Sequence, residues 1–533
     1  MRAPVLPEIP EAEQTPWVKL LLEMVEELAR RVQELEEENA QLKDEISVLK
    51  GQKKRPRFKS SKMDDRAGKS SKSRRGGERP GSKKRKKTQQ LEIHQEEVVA
   101  PSEEVPPGSR FKGYRSFVVQ DLVIRAHNTR YRLERWETPD GRVLTGQLPP
   151  ELGGGHFGCT LLSYVLYQHH HCQVTQPLLL EQLREWGIDI SAGQIDHLLS
   201  SDKEPFHEEK DAVLRAGLGA SSVVTVDDTG ARHQGKNGYT THIGNEFFAW
   251  FETTESKSRI NFLELLRTGA HDYRVDEQAL TYWQQHKLPK ALAEQLAARA
   301  PQEFADKAAW EAHLDDLDIT QARHRKIATE GALLASAIHH GVPENLAIVS
   351  DDAGQFDVLC HALCWIHAER LVHKLIPLND QHREDLDAVR GQIWDFYDEL
   401  KRYQNSPSPE RKVELEAQFE RIFTTRTRFE TLNQALKRLH RNKSELLLVL
   451  ERPEVYLHTN NSEGDIRDYV KRRKVSGGTR SHLGRRCRDT FASLKKTCRK
   501  LRVSFWNYLH DRLSGQYDIP PLPELIHQNA KPS

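Results

Sequence analysis

Two short stretches of this 533-residue chain share one design. Val223-Val224-Thr225-Val226 runs into Asp227-Asp228-Thr229-Gly230, and Ala347-Ile348-Val349-Ser350 runs into Asp351-Asp352-Ala353-Gly354. Each aliphatic run reads as a short buried strand that ends in two carboxylates, a small residue and a glycine. One such ending is an ordinary turn. Two strands lying side by side would bring carboxylates together, which is costly unless a cation neutralises them. Mg²⁺ suits that task, because it is hard, prefers oxygen ligands and keeps waters for exchange with substrate. Two ions about 4 Å apart clamp the attacking and leaving oxygens of a phosphoryl displacement. Asp227 and Asp351 each continue a strand and are the expected ligands; Asp352, already in the bend, is the alternative to Asp351.

A third carboxylate is available in "NNSEGDIRDYVKRRK". Asn460 is expected to cap a helix whose third position is Glu463, with Arg467, Lys471 and Lys474 following on nearly the same face. A capping box with Asn460 explains Glu463 equally well. The basic face favours the ligand, since it would lay a phosphodiester beside the carboxylate. Residues 467–500 hold 13 Lys or Arg against 2 Asp, which suits a polyanionic substrate.

The elements that must position these groups follow from pattern. Strands are expected around 238–243 and 246–251, then a helix capped by Ser256 or Ser258. The order is strand, strand, strand, helix, with an aspartate on the first strand. Upstream, "SFVVQDLVIRAH", "RYRLERWET" and "GRVLTGQ" read as short strands, with a turn at Pro139-Asp140-Gly141. Then "TQPLLLEQLREWGIDISAGQIDHLLSS" reads as helix, turn, helix. Pro177 sits in the first turn, Gly187 stops the first helix and Ser191 caps the second. A base-reading pair and a purely structural pair are equally open. His169, His170 and His171 fit a surface or partly buried helix better than a metal site, because consecutive helical residues diverge. Cys360, Cys364 and His367 fall on one helical face, and buried cysteines acting as small apolar residues are favoured over zinc.

The chain ends differ from this core. With Val18 at an a position, a recurs at Val25, Val32, Asn39 and Ile46, and d at Leu21, Leu28, Leu35, Leu42 and Leu49. β-Branched a with Leu d favours a parallel dimer, and the single Asn at a fixes its register. Residues 51–88 carry 17 Lys or Arg against 3 Asp or Glu in a chain of net charge +2. This run, including Lys83, Lys84 and Arg85, cannot bury a core and is suited to contact phosphate backbones. No apolar run approaches the roughly 18 residues of a membrane span, and no signal peptide is evident. Six cysteines in so long a chain fit a reducing cytosol.

Taken together, these motifs resemble the DDE transposases, and more narrowly the insertion-sequence-66 family of bacterial transposases. The likeness rests on "VDDTG", on "IVSDDAGQF" followed by "CWIHAER", on "NNSEGDIRDYVKRRK", and on the zipper, basic linker and "GERPG" ahead of the core. It covers most of residues 16–500. It implies a ribonuclease-H-like core in which Asp227, Asp351 and Glu463 ligate two Mg²⁺ ions, with Mn²⁺ a possible substitute. They would nick the element's end and activate the freed 3′-hydroxyl to attack target DNA. Cys364 and His367 match a structural Cys-x-x-His element, and Arg467 a phosphate contact joined by Lys471, Arg472 and Lys474. The implied partners are element ends and target DNA, a second copy or a larger synaptic oligomer, and small accessory proteins. The implied location is the bacterial cytoplasm, at the nucleoid.

Three departures stand out. Residues 89–158 lack the cysteines of the family's zinc segment, so no zinc is expected there. Residues 273–340 read as a helical insertion lengthening the gap between the aspartates. Gly464 follows the glutamate in place of an arginine, which makes Asp465 the fallback carboxylate. The expected organisation is multidomain α/β. It comprises a disordered 1–15, a zipper at 16–50, a basic linker at 51–110 and a small β and helix-turn-helix-like region at 111–215. A DDE core at 216–505, with a second helical insertion at 375–455, precedes a tail at 506–533. The competing readings are an inactive transposase-derived dimeric DNA-binding protein and a nuclease of similar fold that cuts without joining.

Overall fold

The computed structural model describes Trp17, Val18, Met24, Val25, Leu28 and Arg31, then residues 92–149, 155–298 and 300–530. The zipper positions Leu21, Leu35, Asn39, Leu42 and Leu49, and the basic residues Lys83, Lys84 and Arg85, lie outside these; Leu28 is helical and exposed. The described residues fall into two compact units, within 14–125 and within 126–530. In the first, residues 116–125 form no strand, against the expectation for "SFVVQDLVIRAH". Phe117, Val119, Leu122 and Val123 are all exposed there. Alternating apolar residues make a strand only where a partner strand takes up the backbone hydrogen bonds.

The second unit is a mixed α/β assembly. It opens with a hairpin of β1 (Arg135–Glu137) and β2 (Val143–Thr145). Helices α1 (Cys159–Leu166), α2 (Gln176–Glu185), α3 (Ala192–Ser200) and α4 (Glu204–Gly219) follow. Gly187 takes φ 79° after α2, a conformation that glycine adopts without strain. Ser191 and Gln194 form a reciprocal capping box at the start of α3.

Next come β3 (Val223–His233), β4 (Lys236–Gly244), β5 (Ala249–Thr254) and α5 (Arg259–Leu266), whose N-cap is Ser258. A later pair, β8 (Ala347–Ser350) and β9 (Cys360–Leu363), completes a five-stranded sheet of order β5-β4-β3-β8-β9. β3, β4 and β5 are antiparallel neighbours; β8 and β9 run parallel to β3. Being central, β8 and the first four residues of β3 are buried, and this is why those stretches are mostly aliphatic. Side chains alternate: Val224, Val226 and Ile348 enter the main core, whereas Val223, Ala347 and Val349 pack with Ala362 and Val455.

Between β5 and β8 lie β6 (Tyr273–Val275), α6 (Glu277–Gln285), α7 (Lys290–Ala297), β7 (Gln302–Phe304), α8 (Lys307–Asp316) and α9 (Ala322–His339). The expected helical insertion over 273–340 is therefore not purely helical, since β6 and β7 pair. Nor is it an appendage, because Ala328, Ala332, Leu333 and Ala335 of α9 are buried in the main core. Small residues let α9 approach α6 closely. A Cβ on Gly331 would lie 2.3 Å from Trp283 Nε1 and 3.2 Å from the Ala279 carbonyl oxygen. Gly331→Ala is thus expected to cost about 1–3 kcal/mol through overpacking, read as a lowered midpoint in urea unfolding.

After β9 come α10 (Trp365–His373), α11 (Asp380–Asn405), α12 (Pro409–Phe423), α13 (Glu430–Arg441), α14 (Lys443–Leu446) and α15 (Leu448–Glu451). This helical region has its own core, built on Trp365, Phe396, Phe419, Phe423 and Leu436. Finally, α16 (Asn460–Ser476) and α17 (His482–Lys500) pack on the sheet; α18 (Phe505–Ser514) and α19 (Leu522–Ala530) end the chain. The expected tail from 506 is therefore folded. Leu522 and Ile526 are buried in the main core, and Tyr508 donates to Glu209 of α4 at 2.7 Å. Pro520, Pro521 and Pro523 precede or open α19.

Candidate active site

β3 does not stop at its aspartates. It runs through Asp227 and Asp228 to His233, paired throughout with β4, and Asp227 faces His242. β8 does stop, one residue before Asp351. The parallel register with β3 ends at the pair Thr225–Val349; Asp351 follows the end of β8, near enough for its charge to act on Asp227. Asp227 shares the parity of Val223 and Thr225, and hence one face of the sheet.

The same face receives α16. The Ser462 hydroxyl donates to Thr225 Oγ1 at 2.5 Å, with both residues buried. This contact fixes the first turn of α16 to β3 two residues before Asp227, and Glu463 is the next residue along. Helix α16 starts at Asn460 with Thr459 at its N-cap, so Asn460 is not the cap expected from sequence, and no side chain caps this end. Glu463 is not half of a capping box either. Its Oε1 accepts from Arg370 Nη1 at 3.1 Å and lies 3.7 Å from His367 Nε2. His367 also acts on Asp227. His367 thus lies between the two acids: its charge acts on Asp227 and it neighbours Glu463, while the ligand atoms of Asp227, Asp351 and Glu463 do not all lie within 4.8 Å of one another.

Its electrostatics are those of crowded acids. Burial, with the nearby charges of Asp351 and Asp228, pushes the Asp227 carboxyl up to about 7. Burial and Asp351 also raise Asp228, although Lys257 and a 2.8 Å hydrogen bond from Gln355 oppose them. A raised carboxyl means the folded chain binds more protons than the unfolded one. Without metal, the fold therefore loses stability as pH rises from about 4 through about 7. Asp227→Asn is expected to stabilise the EDTA-treated chain at pH 8 by on the order of a few kcal/mol, read as a raised melting temperature. The gain shrinks toward pH 5; a destabilised Asn variant at pH 8 would contradict this account.

The two fallback carboxylates are occupied. Asp352 is bound by Arg438, whose Nε is 3.0 Å from Oδ2, and by Asn442 Nδ2 at 3.3 Å. Asp465, on another side of α16, meets Lys500 at 2.9 Å, Lys496 at 3.3 Å and His242 at 3.4 Å. Burial would raise Asp465, but His242 and Lys500 hold it well below the usual carboxylate range.

The Cys-x-x-His pair sits behind this site. Cys360 is on β9, not on a helix with the others; Cys364 is the N-cap of α10 and His367 lies in its first turn. Cys364 is buried and accepts from the Thr459 hydroxyl at 3.6 Å. Burial opposes charge on both groups, but their mutual interaction raises His367 and lowers Cys364.

Of the expected DNA-contacting residues, Arg467, Lys471 and Lys474 are exposed along α16 on the side of Glu463. Arg472 is not available. Its guanidinium is partly buried against the backbone carbonyl and ring of His169. His169–His171 lie in a π-helical turn after α1, and the half-buried His170 stacks on Phe491 with ring centroids 4.3 Å apart.

The comparisons with known proteins bear on the same segment. The model of the transposase IS66 family matches residues 348–486. An uncharacterized protein of Sinorhizobium fredii, y4jO, is 45% identical over 322 residues, which is 60% of this chain and all of y4jO. The chain belongs to the IS66 transposase family. The matched segment includes Asp351, Cys364, His367, Arg370 and Glu463, while Asp227 enters through the sheet.

Three residues inside the quoted motifs make contacts for which the sequence assigned no role. Arg370 lies one turn after His367, a spacing that already placed it on the same face. Gln355 reaches Asp228 from the loop after β8, and Arg473 approaches Thr229 at 3.5 Å. Those two contacts depend on tertiary packing and left no local signal.

Proposed function

We propose that this chain is a DDE-type DNA transposase that binds the ends of an insertion sequence, nicks them and joins the freed 3′ end to target DNA. The observation that carries the reading is the charge of Asp351 acting on Asp227 across adjacent strands, with the first turn of α16, which holds Glu463, fixed to β3 by Ser462. Three antiparallel strands followed by two parallel ones, with acids on the first and after the fourth, support a ribonuclease-H-like core. Asp227, Asp351 and Glu463 offer only oxygen donors, and the raised Asp227 carboxyl is what an uncompensated cation site produces. When bound there, two Mg²⁺ ions, or Mn²⁺ in their place, would neutralise phosphate charge and activate water or a 3′-hydroxyl.

The chain's own residues do the rest. Arg467, Lys471 and Lys474 hold the DNA backbone along α16. Arg370 balances Glu463, and His367 with Cys364 holds the α10 end that carries both cations. The α2–α3 pair and the basic run at 51–88 supply further DNA contact. The heptads of 16–50 supply dimerisation in the bacterial cytoplasm, where the DNA substrate is.

The test is a joining assay with purified protein, DNA carrying the element's ends, and Mg²⁺. Nicked ends together with joined target products are expected. Cleavage without joining identifies a nuclease, and binding without cleavage an inactive relic.

A further inference from the structure

A second group of potential ligands lies outside the three carboxylates. Asp357, His361 and Glu445 each offer one ligand atom, and these atoms lie within 4.8 Å of one another. His361 Nδ1 stands 3.9 Å from Asp357 and 3.8 Å from Glu445. The His361 side chain is only 6% exposed, and Nδ1 has no hydrogen-bond partner.

The proton positions around this ring follow from its neighbours. Ser350 Oγ donates its single proton to the Asp351 carbonyl at 2.6 Å. It must therefore accept at 2.8 Å from His361 Nε2–H. A neutral His361 then aims the Nδ1 lone pair at two carboxylates, which is repulsive. A proton on Nδ1 would remove the repulsion but would sit too far from either oxygen for a hydrogen bond, which needs about 2.7–3.2 Å. The spacing instead approaches the roughly 3.4 Å edge of a tetrahedron built on bonds of about 2.1 Å.

We infer that Asp357, His361 and Glu445 form a divalent-cation site, distinct from the catalytic carboxylates, for a borderline ion such as Zn²⁺ or Mn²⁺. One imidazole with two carboxylates suits such ions better than Mg²⁺. Asp357 belongs to the loop after Asp351, His361 to β9 and Glu445 to α14. The ion would fasten the helical region to that loop and, through His361 and Ser350, hold the backbone of Asp351. Arg259 holds the same loop from the other side, with Nη2 at 2.6 Å from the Gly354 carbonyl and 3.3 Å from Asp357.

The test removes the catalytic acids first. The full chain carrying Asp227→Asn and Asp351→Asn is stripped with EDTA and titrated calorimetrically with Zn²⁺ and with Mn²⁺. One site is expected to remain. Adding Glu445→Gln, at a partly exposed carboxylate, or Asp357→Asn is expected to weaken it by about tenfold or more. His361→Ala should abolish it. Absence of that site in the stripped chain, or binding unchanged by both Glu445→Gln and Asp357→Asn, overturns the assignment and leaves an imidazolium ion pair. Because the catalytic acids are already replaced, failure here leaves the transposase reading untouched.

Discussion

Asp351→Asn is expected to lower Mg²⁺-dependent DNA nicking by about 10³-fold or more, while Asp352→Asn lowers it by less than about tenfold. The two residues are adjacent and chemically identical, so the contrast depends on geometry alone. Asp351 directly follows β8, the strand paired with β3, and its charge acts on the Asp227 carboxyl. Asp352 points to the helical region, where Arg438 and Asn442 hold it. That ion pair is partly exposed, so its loss costs no more than about 1 kcal/mol. The assay is nicking of an end-containing duplex, with protein folding checked by circular dichroism. Equal losses in the two variants, or a larger loss in Asp352→Asn, would move the metal ligand one residue along the loop.

The largest effect on stability is expected at Trp365. Its ring is buried among Phe396, Phe419 and Phe423, and its Nε1 donates to the Leu446 carbonyl at 2.9 Å. Its backbone N–H donates to Leu457 at 2.9 Å. Trp365→Ala removes the packing and leaves an unpaired carbonyl, at a cost of about 3–5 kcal/mol. Since Trp365 opens α10, the same change loosens His367 and Arg370, which address Glu463. Denaturant unfolding should show the lost stability, and nicking should fall even where the protein remains folded. A midpoint shift corresponding to less than about 1 kcal/mol would mean that α10 is held mainly from the sheet side.

Much of the site was legible because its signals are local. An aliphatic run that turns acidic marked both strands, although only β8 ends there, at Ser350, while β3 runs on through Asp227 to His233. Ser191 and Ser258 cap helices where sequence placed them, since a cap needs only three neighbouring residues. Where the outcome depends on distant partners, the reading failed. Residues 116–125 alternate like a strand but have no partner strand. The tail after 506 carries no pattern beyond its prolines, yet Leu522 and Ile526 are buried in the main core. Arg472 resembled its exposed neighbours on α16 until His169 was seen to take it. Asn460 resembled a cap, but Thr459 occupies that place and Glu463 turns to Arg370 instead. Cys360 fell on a β-strand because the parallel pairing of β9 with β8 outweighs a four-residue helical spacing.

The claim that matters most is that Glu463 completes a site with Asp227 and Asp351, because it comes from the far end of the chain and is held by Arg370. The most direct measurement is Mg²⁺-dependent joining of a pre-nicked element end to target DNA by Glu463→Gln. Gln keeps the size of the side chain and its hydrogen bonding while removing the charge that a cation requires. The account predicts joining reduced by about 10²-fold or more with end binding retained. Joining at the wild-type rate would contradict it.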